Sequence, residues 1–184
     1  GFRTSDPITT SAQVVTGLQT VVSRKANLTE SPLVVTIGTI NGGTGPNIVP
    51  DTVKMTGTIR AYNEQVRQQA HRDIRLVAEK IAEGNGAKAR VTIAPMYNVT
   101  VNNEALTERM APVLKRAADG RVARAPLAGA SEDFSFYARE VPGLYVFLGC
   151  TPDGQDPAKA APNHNPNFFV DEKCLVVGVR TLAL

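Results

Sequence analysis

Leu33-Val34-Val35-Thr36-Ile37-Gly38-Thr39-Ile40 decides the fold of the first half of the chain, because its run of β-branched residues predicts a β-strand. A loop rich in glycine and proline follows at 41–50. From Thr52 to Arg60 apolar and polar side chains alternate, and this period of two predicts a second strand. The two strands together predict a hairpin with a long connecting loop.

Helices are predicted on either side of this hairpin. Asp6 followed by Pro7 is typical of a helix N-terminus, and apolar residues then recur at helical spacing. Asn63 is predicted to cap a second helix that ends at the turn 84–86, and residues 88–94 alternate again as a third strand. The order helix, strand, strand, helix, strand is that of a ferredoxin-like β-α-β-β-α-β unit, an α+β arrangement, that lacks its first strand.

Beyond residue 100 the pattern changes. We predict a helix from Asn103, a helix capped by Ser131 and a last helix from Asp171, with short strands at 121–125 and 144–149 between them. The run 144–149 is apolar and is of the kind found in buried strands. Strands that alternate with helices predict an α/β architecture for this half.

Composition narrows the class of protein. The hydrophobic content of 42% predicts a folded core, and the net charge of +3, with basic residues dispersed among 17 acidic ones, argues against a nucleic-acid-binding surface. Cys150 and Cys174 are too few for a disulfide scaffold and lack zinc-ribbon spacing, so we predict buried free thiols. The lack of a membrane-length apolar run or a recognisable signal peptide predicts a soluble, cytoplasmic protein.

The loop from Ala161 to Phe168 holds the most informative candidate residue, His164. Pro162 and Pro166 restrict the backbone around it, since a proline ring fixes φ. A histidine held in this way can point an imidazole nitrogen at a metal ion or a substrate, and a solvated loop histidine is the alternative. Zinc requires three or four ligands, so a metal site at His164 needs ligands that this chain does not contain.

Other polar positions are weaker candidates. Glu132 and Asp133 are adjacent carboxylates at a predicted helix start, where they either complement the helix dipole or orient a metal-binding imidazole from behind. Asn47 could offer its amide to a substrate carbonyl or carboxylate, or could be a turn asparagine. Arg60 ends a predicted strand and its guanidinium could bind a carboxylate, although most arginines at strand ends are solvated. His71 is predicted to lie on a helix surface. The sequence has no serine nucleophile elbow, phosphate loop or CxxC motif, so we nominate no catalytic residue.

Several motifs, taken in order, resemble one known family. They are Asp6-Pro7, Gly42-Gly43-Thr44 through Asp51, Gly57-Thr58-Ile59-Arg60, Ser131 to Ser135, Phe147-Leu148-Gly149, and Asn163 to Pro166. Together they resemble the M20 metallopeptidases, specifically the amidohydrolases related to aminoacylase and hippurate hydrolase. The resemblance implies a ferredoxin-like lid that serves dimerisation over residues 1–100, and the C-terminal portion of a zinc-peptidase-like αβα catalytic domain over residues 101–184.

The resemblance also implies a chemistry. Family members hydrolyse amide bonds in N-acyl amino acids or small peptides with two divalent metal ions, for which zinc, manganese and cobalt are all suitable. His164 matches a metal-binding histidine, and Glu132 matches an acidic position near the metals. Asn47 and Arg60 match lid residues that contact substrate. The implied partners are the small-molecule substrate and a second copy joined through the lid.

One departure from the family pattern is large. The other metal ligands and the general-base glutamate precede the lid in the family and have no counterpart here. We therefore expect the chain to be an incomplete portion of a hydrolase and to be inactive alone. The alternatives are a non-catalytic module that dimerises or interacts through its sheet edge or helices, and a protein that binds small acids without turnover.

Overall fold

The computed structural model describes residues 5–129 and 131–183, which fall into two compact units. The first unit contains residues 5–99 together with 129, 131 and 132, and the second contains residues 100–128 and 133–183. No helix among the described residues is both long enough and apolar enough to cross a membrane.

The helices of the first unit begin at side-chain caps. Helix α1 spans Pro7–Thr20 and continues into the π-helical turn Val21–Lys25. The Asp6 carboxylate accepts the backbone N–H of Ile8 at 2.9 Å, which satisfies a donor that the helix itself leaves unpaired. Helix α2 spans Glu64–Gly84, and the Asn63 side chain accepts two N–H groups of its first turn at 2.8 and 3.1 Å. Both predicted caps are confirmed.

The sheet of the first unit has two antiparallel strands, β1 at Leu33–Gly42 and β2 at Val53–Ala61. Leu33 pairs with Ala61 at one end and Gly42 with Val53 at the other, with a register irregularity between Ile37 and Thr39. On β2 the apolar side chains are half-buried and the polar ones exposed, as the alternation predicted. The predicted hairpin is therefore confirmed.

The core of the first unit lies between the two helices and one face of the hairpin. Its buried members are Val14, Leu18, Val21, Leu33, Ala70, Ile74 and Ala78. A charged contact reinforces the helix pair, because Lys25 donates to Asp73 at 3.0 Å and the Asp73 side chain is nearly buried. The helices and the hairpin therefore share one core.

The predicted third strand at 88–94 is wrong as secondary structure. Ala89, Val91 and Ile93 pack against the core and their neighbours are exposed, so the side chains alternate as expected. Residues 88–96, however, make no backbone hydrogen bond to any other described backbone group. A strand needs a hydrogen-bonded neighbour as well as an alternating pattern, and the sheet that the structure describes contains only β1 and β2.

The prediction that His71 lies on a helix surface is also wrong. His71 is only 8% exposed and belongs to the buried face of α2. Burial lowers the pKa of its imidazole, and the nearby guanidinium groups of Arg67 and Arg75 lower it further. The folded first unit therefore favours the neutral form of His71.

The second unit is built from helices and irregular segments. Helix α3 spans Glu104–Ala117, α4 spans Phe134–Glu140 and α5 spans Lys173–Ala183, with a short 3-10 turn at Pro157–Lys159. Asn103 caps α3 through the N–H of Leu106 at 2.9 Å, and the helix continues through Pro112. Ser131 does not cap α4, because the N-cap position is Asp133, whose side chain accepts no capping bond.

The two strands predicted in the second unit are wrong, because no strand is present among the residues that the structure describes there. The run 144–149 is not buried either, since Phe147 is 59% exposed. The Asn102 side chain takes the place of a neighbouring strand at one position. It accepts from the Tyr145 N–H at 2.7 Å and donates to the Tyr145 carbonyl at 2.9 Å.

Candidate functional site

The His164 loop consists of two successive backbone turns. The N–H of Asn165 donates to the carbonyl of Pro162 at 3.2 Å, and the N–H of Phe168 donates to the carbonyl of Asn165 at 2.9 Å. The Asn165 side chain also accepts the N–H of Asn167 at 2.9 Å. These bonds fix the backbone on the C-terminal side of His164.

His164 occupies a left-handed backbone conformation with φ of 68°. Among the described residues only Asp119 shares a positive φ without being glycine. A left-handed conformation costs an L-residue roughly 1–2 kcal/mol because its Cβ approaches the following carbonyl oxygen. Strain of this kind at an exposed position is typical of residues retained for function. The turn presents the His164 side chain outward rather than into a core.

The loop is anchored at its base. The N–H of Asp171 donates to the carbonyl of Cys150 at 2.9 Å, so this bond holds together the two ends of the connecting segment 151–170. The Asp171 carboxylate then accepts the N–H of Lys173 at 3.0 Å at the start of α5. His164 therefore sits on a loop with a fixed base, which suits a group that must hold a ligand in a defined place.

The His164 imidazole could fill one ligand position of a metal site. Neutral imidazole is a suitable ligand for zinc, manganese or cobalt. Within residues 5–129 and 131–183 no group of three or more His, Cys, Asp or Glu side chains is placed to hold a metal ion. His164 is thus a candidate for a single ligand, and the described residues do not form a complete metal site around it.

Asn47 lies in the loop that joins β1 to β2. A turn closes there through the Ile48 N–H, which donates to the Gly45 carbonyl at 3.3 Å, and the Asn47 side chain is exposed. Gly43 has a φ of 84°, a conformation that glycine adopts without strain. The loop therefore presents the Asn47 amide at one end of the hairpin.

Arg60 lies at the other end of the hairpin, paired with Val34. Its guanidinium donates to the carbonyl of Gly129, so it also holds the short segment that contains Glu132, which is half-buried. About seven residues of extended strand separate Arg60 from the Asn47 loop, or roughly 20 Å at the usual rise of a strand. The structure brings Arg60 and the Glu132 segment into one unit. It does not bring Asn47 and Arg60 together.

Sequence reasoning missed the contact between Arg60 and Gly129. Its partners are separated by 69 positions, and neither residue belongs to a pattern that indicates the other. It also missed the proximity of Cys150 and Cys174, whose thiols interact in the second unit. The only sequence signal for that pair was that the chain contains two cysteines.

Comparison with solved structures defines the class of protein. The chain superposes on the YXEP protein of Bacillus subtilis with a TM-score of 0.74 and 29% identity, covering 98% of this chain and 45% of that one. That protein is described as a dinuclear metal binding peptidase from the M20 family. The expectation of a mixed α/β fold is confirmed by this similarity. The finer division into a lid and part of a catalytic domain stays a prediction.

The family follows from the sequence comparison. Residues 10–184 match the model of peptidase family M20/M25/M40, and the chain belongs to this family. It is 35% identical over 183 residues to thermostable carboxypeptidase 2 of Saccharolobus solfataricus, covering 99% of this chain and 45% of that protein. It is 33% identical over 171 residues to N-acetyl-L-cysteine deacetylase of Bacillus subtilis, covering 93% and 39%. The chain spans less than half the length of these relatives.

Proposed function

We propose that this chain is part of a metal-dependent amidohydrolase that cleaves the amide bond of N-acyl amino acids or small peptides. The observation that carries the proposal is the match to the peptidase family model over residues 10–184. The names of the similar proteins, a carboxypeptidase and an N-acetyl-L-cysteine deacetylase, support this substrate class. The strained, outward-facing His164 supports the metal dependence.

The proposed role of His164 is to ligate one of two divalent ions through an imidazole nitrogen. The remaining ligands and the general base would come from polypeptide outside these 184 residues. Metal ions of this kind lower the pKa of bound water and polarise a carbonyl oxygen. Glu132 is proposed to lie behind the metal ligands and to orient them, because a carboxylate is the usual partner of a metal-binding imidazole.

Asn47 and Arg60 are proposed substrate contacts with separate roles. Because roughly 20 Å of hairpin separates them, one small substrate reaches only one of the two in a given copy. Asn47 has an exposed amide and is the better candidate for the substrate carbonyl or carboxylate. A homodimer formed through the first unit is proposed with this function, as is a cytoplasmic location.

The natural protein provides the test, and its intact mass is measured first. We expect a mass above the 19.6 kDa of this chain, because one histidine cannot complete a two-metal site. His164→Asn removes the imidazole while asparagine still tolerates the left-handed backbone. Metal content is measured by plasma mass spectrometry, and hydrolysis is measured with N-acetyl amino acids.

We expect His164→Asn to lose at least one metal ion per chain and to hydrolyse these substrates at least about 100-fold more slowly. Even residues that only orient a metal ligand change metal affinity or activity about 10–100-fold when they are mutated. Asp119→Asn is the matched control. It alters the other described non-glycine residue with a positive φ, which is also exposed, and should leave metal content and rate unchanged. Unchanged metal content and rate in His164→Asn would end the assignment.

A further inference from the structure

The two cysteines of the chain lie close together in the second unit. Cys150 follows the apolar run 144–149, and Cys174 lies in the first turn of α5. Both are free thiols, with Cys174 buried and Cys150 half-buried. The backbone links them through one residue, since Asp171 donates its N–H to the Cys150 carbonyl at 2.9 Å and accepts the Cys174 N–H at 3.0 Å.

A second contact fixes the register between the two segments. A Cβ added to Gly178 would lie 3.0 Å from the Leu148 side chain, so α5 passes very close to the run at that point. Gly178 and Cys174 are four residues apart and share one face of the helix. Leu148 and Cys150 are two residues apart and share one side of an extended chain. The contact at Leu148 and Gly178 therefore brings Cys150 opposite Cys174.

The chemistry of the thiols agrees with this geometry. Burial, followed by the hydrogen bond and charge of the adjacent Cys174 thiol, raises the pKa of the Cys150 thiol to about 11. The Cys150 sulfur also lies 3.5 Å from the Leu148 carbonyl oxygen. The backbone bonds through Asp171 and the interaction between the thiols both place the two thiols near each other, and such closeness is one condition for a disulfide.

We propose that Cys150 and Cys174 form a reversible disulfide that closes the segment carrying His164. The oxidant is a low-molecular-weight disulfide such as oxidised glutathione. The half-buried Cys150 loses its proton and attacks one sulfur of the oxidant, which releases one small thiol and leaves a mixed disulfide. Cys174 then loses its proton and attacks the Cys150 sulfur, releasing the second small thiol. Two electrons and two protons thus pass from the protein to the oxidant.

The cross-link would join the two ends of residues 151–173, so it would constrain the segment that contains the His164 loop. It does not depend on the proposed hydrolase activity, because the two cysteines and α5 all lie in the second unit. Its formation is expected to be slow near neutral pH, since little Cys150 thiolate is present there. The rate should rise roughly tenfold for each pH unit until it approaches the pKa.

The experiment treats the purified, reduced protein with oxidised glutathione from about pH 7 to about pH 10, the range over which the thiolate fraction grows. Samples are quenched by alkylation and analysed by intact and peptide mass spectrometry. We expect a monomer that has lost two hydrogen atoms, with peptides containing Cys150 and Cys174 joined, in at least about tenfold excess over the mixed disulfide. Unfolding the protein in guanidinium should abolish that excess.

Single variants test the order of attack. Cys174→Ser should stop at the mixed disulfide on Cys150, whereas Cys150→Ser should stay largely unmodified because Cys174 is buried. The proposal fails if the native protein stays reduced up to about pH 10, where thiolate is available. It also fails if it accumulates glutathione on both cysteines or cross-links only between chains.

Discussion

Replacing His164 by glycine separates the strain of its backbone from the role of its side chain. The residue is exposed and has a φ of 68°, so an L-residue there carries roughly 1–2 kcal/mol of conformational cost. Glycine removes that cost but loses about 0.5–1 kcal/mol through greater freedom in the unfolded chain. The two effects predict that His164→Gly raises the free energy of unfolding of the metal-free protein by about 0.5–1 kcal/mol.

Urea denaturation in the presence of a chelator measures this difference. With a denaturant slope of about 2 kcal/mol per molar, the midpoint should rise by roughly 0.3–0.5 M. Circular dichroism is a suitable probe, because the chain has no tryptophan. The turn bond from Asn165 to Pro162 involves only backbone atoms, so the substitution leaves it in place.

Asp119→Gly is the matched control, since Asp119 has a φ of 50° at the end of α3. Its ion pair with Arg180, at 3.5 Å, is more than half exposed on both sides and contributes little. Both glycine variants should therefore be stabilised to a similar extent. A loss of more than about 1 kcal/mol in His164→Gly, beside a gain in Asp119→Gly, would refute the reasoning, because the imidazole would then stabilise the fold.

Two further predictions concern the first unit. Gly57→Ala should lower the free energy of unfolding by about 1–3 kcal/mol, because the new Cβ would overlap the Thr36 carbonyl oxygen. Gly38→Ala is the control: its Cβ would meet nothing within 4 Å, so the free energy of unfolding should change by no more than about 0.5 kcal/mol. Equal losses in denaturation midpoint would contradict this. For His71, the lowered pKa means that the unfolded chain binds the proton more readily, so stability is full above the ordinary pKa of 6.5 and falls as the pH drops below it. Urea midpoints should show that fall, and His71→Gln should reduce it.

Features that depend on only a few adjacent residues could be predicted from the sequence. Asp6 and Asn63 were identifiable as caps because a cap acts within three residues of itself. The hairpin strands were identifiable because alternation and β-branching act along one strand. The positive φ of His164 could not be predicted, since histidine, unlike glycine, gives little indication of a left-handed conformation.

Features that depend on a distant partner could not be predicted. His71 is buried because the inward face of α2 extends beyond the large apolar residues Val77 and Ile81, which pack against the core, to small residues such as Ala78 and Ala82. The alanines permit close approach, and the Ile81 side chain lies near Gly17 of α1. The packing partner therefore decides which side of the helix is buried.

Each unit contains one segment with a strand-like side-chain pattern that the described sheet does not include. Within 5–129 and 131–183, residues 88–94 alternate between core and solvent yet lie outside the two-stranded sheet. The apolar run 144–149 is largely exposed, and the Asn102 side chain bonds the Tyr145 backbone within it. A side-chain pattern of this kind is stable in a protein when another strand supplies the backbone partners. A metal ion bound at His164 would also need further partners, since one imidazole is only one of the three or four ligands that zinc requires. In the hydrolase that we propose, the polypeptide that supplies the remaining ligands could therefore also supply backbone partners for these segments.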